Sequence, residues 1–216
     1  MECKSIPSML VTTDAIVLSL QPHSDKAHVL HAYTRTGGRI NYMVYGLGKK
    51  NSSGKYTPLS IVQLTTDERS IRTAQLTFVP ATITTDPYKR TIALFMSEIL
   101  HNVLRHPMED APMYDFLADS IRELDQTDEP QNFHLQFLVN FAAKLGFAIP
   151  EDQQVKLATS SDSCSIRSRG LINYNSNPST RKARQEALRA LCAYFAEHVE
   201  TWESPKSLDV LMEVFD

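Results

Sequence analysis

Hydrophobic and polar positions alternate along the first 80 residues with a period close to two. Thr12 to Leu20 is a β-branched and aliphatic run. His28 to Thr34, Arg39 to Tyr45, Pro58 to Thr65 and Ile71 to Val79 are four more. Turn-forming stretches separate them: Gln21-Pro22 to Asp25, Thr36-Gly37-Gly38, Gly46 to Thr57, and Thr66 to Ser70. The Thr-Gly-Gly link suits a tight hairpin, because glycine accepts the positive φ such turns require. Five short strands with no helix among them predict a small barrel, a shape that leaves no strand edge unpaired. Periodicity alone does not separate an OB-fold from an SH3-like barrel or a small sandwich.

Past Asp86 the period lengthens to about 3.6. Asp86-Pro87 reads as an N-cap followed by proline at the first helical position. Ile92, Phe95, Met96, Ile99 and Val103 then recur at helical spacing, to an end near His106-Pro107. Tyr114, Leu117, Ile121 and Leu124 mark a second helix, from about Pro112 to Leu124. Phe133, Phe137, Phe141 and Leu145 mark a third, closed by Gly146. Glu151 to Thr180 is polar and irregular, a long loop or insert. Arg184, Leu188, Leu191, Tyr194, Phe195 and Val199 lie on a fourth helix. Ser204-Pro205 opens a last short one with Leu208, Leu211, Met212 and Phe215. The fold class is therefore α+β: a five-stranded barrel over residues 1–80, then an all-helical domain over 86–216 with an irregular insert at about 151–180. The helical apolar stripes read as core, not as cofactor boxes.

Composition narrows the class. The chain has 216 residues, 42% hydrophobic and 22% charged, ordinary values for a globular protein. No stretch approaches the roughly 20 apolar residues that span a bilayer. The opening segment has one early lysine, Lys4, an interrupting Asp14 and no small-residue cleavage site, so no signal peptide is expected. Cys3, Cys164 and Cys192 form no CxxC pair and read as free thiols of a cytoplasmic protein. The net charge of −3 weighs against a nucleic-acid binder, but it hides an asymmetry. Residues 1–80 carry nine Lys/Arg against five Asp/Glu; residues 81–216 carry thirteen against twenty. Any binding of polyanions must come from the local field of the front half.

Catalytic motifs are missing. There is no GxSxG, Walker loop, GxGxxG or HExxH. Gly46-Leu47-Gly48-Lys49-Lys50 lacks the hydroxyl after lysine and the spacing of a phosphate loop. His28 and His31, three apart on a strand, face opposite ways. His101 and His106, five apart, are poorly spaced for a metal. No cofactor, metal or catalytic residue is expected.

The basic residues are more informative. Lys49, Lys50 and Lys55 lie in the loop after the third strand, Arg35 and Arg39 bracket the Gly-Gly turn, and Lys26 lies between the first two strands. Alternation puts Ile40, Tyr42 and Val44 on one face of the third strand and Arg39, Asn41, Met43 and Tyr45 on the other. The second set makes a polar, aromatic outer face beside basic loops. If the barrel is an OB-fold, that is where oligonucleotides bind, with Lys and Arg neutralising phosphates and Tyr45 stacking on a base. A solubilising barrel surface is the plain alternative. Arg167, Arg169, Arg181, Lys182 and Arg184 form a second cluster, with no acidic residue between Ser163 and Gln185. It suits a DNA track or an acidic partner tail, or is simply a solvated helix start, although cations there oppose the helix dipole.

Thr13-Asp14-Ala15-Ile16-Val17-Leu18, then Ser24-Asp25-Lys26, Leu30 and Tyr33-Thr34, then Gly37-Gly38-Arg39-Ile40, resembles the opening of the RecO recombination mediators. The basic loop Gly46-Leu47-Gly48-Lys49-Lys50 and the closing Ser204-Pro205-Lys206-Ser207-Leu208 fit the same family. The similarity spans most of the chain and is clearest over 11–50. Many members carry a four-cysteine zinc module where this chain keeps only Cys164, so no zinc is expected. The resemblance implies an OB-fold that binds single- and double-stranded DNA and anneals complementary strands in the nucleoid. It also implies work with RecR, contact with the acidic C-terminal tail of single-strand-binding protein (SSB), and indirect loading of RecA. The Arg167–Arg184 cluster would then be a basic rim for the tail. Two rival readings are an adaptor whose barrel is structural and a small nuclease. The adaptor needs no basic barrel face, and the nuclease lacks clustered carboxylates.

Overall fold

The computed structural model describes residues 10–47, 53–67, 70–149 and 180–214. Strands β1 (Leu10–Ser24), β2 (Ala27–Thr34), β3 (Gly38–Tyr45), β4 (Ile61–Asp67) and β5 (Ser70–Phe78) close into a barrel in the order β1-β2-β3-β5-β4. Pairings are antiparallel except for β3 with β5, which meet in parallel at Met43 and Ser70. Of the arrangements that periodicity leaves open, this is the OB type. Ala15, Val17, Leu30, Ala32, Tyr42, Val44, Tyr56, Val62 and Leu64 fill the interior.

Closure depends on β1. Its first part pairs with β4 from Leu10 to Ile16, and its second with β2 from Ala15 to Ser24. The ladder to β2 shifts register between Val17 and Ser19. There Val17 donates its N–H to the Ser60 carbonyl (2.9 Å) and accepts from Leu59 N (2.8 Å). Leu59 is fully buried with φ of 63°, a left-handed conformation for a bulky residue. Such strain costs about 1–3 kcal/mol and persists where burial and hydrogen bonding over-determine it. The turn at Thr57–Ser60 is why β4 starts at Ile61 and not at Pro58. At its other end β1 runs on through Gln21–Ser24, which reads as a turn in the sequence but pairs with β2 through a second shift between Pro22 and Ser24.

Contacts gather the chain into two compact units. The first joins the chain up to Pro80 with Leu104–Ile121; the second joins Ala81–Val103 with the chain from Arg122 on. In the first unit the segment after residue 103 lies on the β2–β3 turn. Arg39 N donates to the His106 carbonyl (3.4 Å), and a methyl on Gly38 would overlap the Met108 carbonyl oxygen and lie 2.8 Å from its nitrogen.

The helices are α1 (Thr82–Thr85), α2 (Pro87–Val103), α3 (Ala111–Gln126), α4 (Phe133–Lys144), α5 (Arg181–His198) and α6 (Leu208–Val214). Asp86 Oδ1 accepts from Tyr88 N (2.8 Å), the cap the sequence predicts. Gly146 takes φ of 92° and donates to the Ala143 carbonyl, ending α4. In the second unit Phe137, Phe141, Phe195 and Trp202 form a ladder of ring contacts at 5.3–6.1 Å. The single turn α1 escapes the sequence reading, because its cap comes from 42 to 44 residues away. The Asp125 carboxylate accepts from the backbone N–H of Ala81, Thr82 and Ile83. Buried Lys89 ties the corner together, donating to Thr82 Oγ1 (2.7 Å) and the Asp125 carbonyl (2.9 Å). Among the described residues no helix is long and apolar enough to cross a membrane.

Two glycine substitutions separate close approach from backbone strain. G38A meets both an overlap and a φ of 62°, whereas G46A, with φ of 75°, has open space around it. Urea unfolding should show G46A losing about 1–2 kcal/mol and G38A clearly more; equal losses would mean that Met108 does not press on Gly38. Asp125 gives a pH test. Burial pushes its carboxyl up, but the three N–H bonds outweigh this and leave it below its ordinary 3.8. The stabilisation is full above that value and is lost as pH falls through the lower folded value. D125A should cost about 0.5–2 kcal/mol near neutrality, and the gap to wild type should close in strong acid.

Candidate nucleic-acid interface

The β2–β3 hairpin builds an outer face by register. The turn sets Thr34 against Gly38, so Tyr33 faces Arg39, His31 faces Asn41, Val29 faces Met43 and Ala27 faces Tyr45. On β3, Tyr42 and Val44 are buried and Ile40 packs against the core, while Asn41 and Tyr45 are exposed and Arg39 and Met43 half-buried. The face is thus the one the alternation predicts. Tyr45 is 65% exposed at one end, a free ring surface. Arg39 stands at the other, six residues away or about 20 Å along a strand.

Asn41 links the middle of the face. Its Oδ1 accepts from His31 Nδ1 (2.7 Å) and from Arg39 Nε (3.4 Å), which orients both. Burial lowers the pKa of His31; the Asn41 bond acts the other way, and the Arg39 charge lowers it further. Burial also lowers the Arg39 guanidinium to about 10, and the charge of Arg105 adds to this. Sequence reasoning treats His31 only as a poor metal ligand. The signal it missed was available: the hairpin turn fixes the pairing of residues 31 and 41. Among the described residues no group of His, Cys, Asp and Glu is arranged to hold a metal.

The other basic residues are dispersed. Lys26 is exposed in the β1–β2 turn, and its carbonyl accepts from Gly46 N (3.2 Å), which brings it to the Tyr45 end of the face. Arg35 forms a two-point ion pair with Asp115, one arm at 2.9 Å, and lies 5.7 Å over the Tyr114 ring, so its charge is compensated. Lys55 lies on a 3₁₀ turn, Ser53–Tyr56, and donates to the Ala74 carbonyl on β5 (3.2 Å). Lys49 and Lys50, like Arg167, Arg169 and Cys164, lie outside the described residues.

Arg181, Lys182 and Arg184 open α5 in the second unit. Thr180 caps the helix, its Oγ1 accepting from Ala183 N (3.2 Å). The cations meet the unfavourable end of the dipole, and α6 offsets this. Arg181 Nη2 and Gln185 Nε2 both donate to the Met212 carbonyl, at 3.4 and 2.9 Å, in the last turn of α6 where the partial charge is negative. Lys182 approaches Glu186 at 3.9 Å, an exposed pair of little worth. Arg181, Arg184 and Gln185 line a small cavity with His134, Leu188, Leu211 and Met212. His134 is buried, edge-on to Phe95 at 6.4 Å. Burial pushes its pKa from 6.5 to about 3, and the Arg184 charge acts in the same direction.

Buried and neutral, His134 favours the fold fully above pH 6.5, and that contribution drains away as pH falls towards about 3. The unfolding midpoint of wild type should therefore drop more steeply across that window than that of H134F. Identical slopes would show that His134 charges without cost.

The chain is similar to known proteins over most of its length. The family model described as recombination protein O N terminal matches residues 9–79, and the one described as recombination protein O C terminal matches 84–181. The chain is similar to the DNA repair protein RecO of Phocaeicola vulgatus, 30% identical over 241 residues, covering 96% of this chain and 100% of that one. It is 34% identical over 157 residues to the DNA repair protein RecO of Porphyromonas gingivalis, covering 67% of this chain and 64% of that protein's length. The DNA repair protein RecO of Christiangramia forsetii is 28% identical over 240 residues, covering 96% of this chain and all of that one.

Proposed function

The chain belongs to the recombination protein O (RecO) family, and we propose that it serves DNA repair by holding nucleic-acid strands, not by reacting with them. The observation that carries this reading is the β2–β3 face, where an exposed Tyr45 beside Lys26 and an oriented Arg39 share one strand pair. Each cation near a phosphate displaces a counterion, and the tyrosine ring offers any base a stacking surface. Neither contact selects a sequence, which suits a protein that must handle any strand. The proposed surface comprises Lys26, Arg39, Tyr45, Lys49, Lys50 and Lys55, with Arg35 as its support through Asp115. Two strands neutralised on it can approach, and base pairing then completes annealing without a catalytic residue.

The same proposal extends to partners. The cavity behind Arg181, Lys182 and Arg184 joins cations to the apolar side chains of Leu188, Leu211 and Met212. That combination fits the acidic and hydrophobic C-terminal tail of SSB, and Arg167 and Arg169 would lengthen its rim. RecR would join on the DNA, and RecA would follow indirectly.

Strand annealing of complementary oligonucleotides, with and without SSB, is the direct test. Y45A should weaken single-strand binding by about 1–3 kcal/mol with an unchanged melting temperature, since the ring is mostly in solvent. The triple variant R39E, K49E, K50E should lose most salt-dependent binding and remain folded. Full binding by the triple variant would remove this surface. Tight binding of the SSB tail or RecR with no DNA affinity would favour an adaptor instead.

A further inference from the structure

The segment after α2 adds a cation to the outer face that strand alternation could not reveal. Residues 104–110 have no regular structure and belong to the barrel's unit. They are held against the turn at the Arg39 end of the face by backbone contacts: Arg39 N to the His106 carbonyl, and Gly38 packed on Met108. A glycine with φ of 62° is what lets the two chains come so close. Arg105 precedes His106 and is exposed. Two cations separated by 66 residues in the chain are thus brought to one corner, and Asn41 fixes one of them through Nε.

We propose that Arg105 and Arg39 together form a binding site for a single phosphodiester at the hairpin end of the barrel face. This rests on the DNA-holding reading of the barrel and extends it to a residue outside the strands. Paired guanidiniums suit a phosphate because each presents a planar fork of donors to its oxygens. Their closeness is also visible in the depressed affinity of Arg39 for its proton, in which Arg105 shares after burial. A positive potential raised by two neighbouring like charges is lowered when an anion enters between them. Glu109 and Asp110 follow in the same segment, and Asp110 Oδ1 accepts from Met113 N (2.9 Å) at the start of α3. Asp110 also acts on Tyr33, the residue paired with Arg39, so one carboxylate lies near this corner.

The experiment is fluorescence anisotropy of the full chain with oligo(dT) over a range of sodium chloride concentrations. R105Q should reduce the slope of log K against log salt by about 0.7, one single-strand phosphate, with an unchanged melting temperature. R105K should keep the slope and bind more weakly, since charge stays and the fork is lost. Because one phosphate is shared, the double variant R39Q/R105Q should lose less than the two single losses combined. R72Q, whose arginine pairs with Asp67 on the neighbouring strand at 2.5 Å, is the control and should bind as wild type. If R105Q matches wild type in slope and affinity while the R39E, K49E, K50E variant fails to bind, the site is overturned and the barrel surface stands. If wild type itself binds no oligonucleotide, both fall. If R72Q falls as far as R105Q, the effect is one of net charge and the proposed site is likewise rejected.

Discussion

The double pairing of β1 is the constraint on which the first unit depends. One strand must satisfy β4 along its first part and β2 along its second, and a flat strand cannot turn far enough to do so. The register shift at Val17–Ser19 supplies the bend, and the turn with Leu59 in its strained conformation locks it: Leu59 N donates to the Val17 carbonyl and Val17 N to the Ser60 carbonyl. A one-residue slip there would carry every later side chain to the opposite face. The outward placement of Arg39, Asn41 and Tyr45 has a separate origin, the register that the β2–β3 turn sets.

Charge in this molecule acts locally. The chain as a whole is acidic, and its basic groups differ in what surrounds them. Arg35 is neutralised by Asp115, and Arg181 leans on the carbonyl end of α6. Arg39 is oriented by an amide and shares its corner with a second arginine. Position relative to acceptors, more than the count of lysines and arginines, decides which of them present a field to a polyanion.

What could be read from the sequence was whatever a one-dimensional period records. The inward Tyr42 and Val44 and the outward Asn41 and Tyr45 followed from alternation, and the cap at Asp86 and the stop at Gly146 from residue type. Partners distant in the chain left no such trace. Nothing near Ala81 announces that Asp125 will cap α1, and nothing near Arg35 announces Asp115. The place of residues 104–110 was hidden for a different reason. Backbone atoms of Met108 and His106 dock on Gly38 and Arg39, and contacts between main chains have no side-chain pattern. Leu59 shows the converse: an apolar residue after proline reads as the start of a strand, and only the packed core reveals a turn.

The interleaving of the two units bears on the order in which they can form. The chain passes from one to the other after residues 80, 103 and 121. During synthesis the five strands leave the ribosome first, yet the acceptor for Arg39 N, the surface under Gly38 and the counter-ion of Arg35 are still to be made. Until residues 106, 108 and 115 have been made, the hairpin end lacks those contacts. No single scission of the polypeptide yields both units whole, and a fragment ending at residue 80 would keep its barrel core while losing the part that steadies its basic corner.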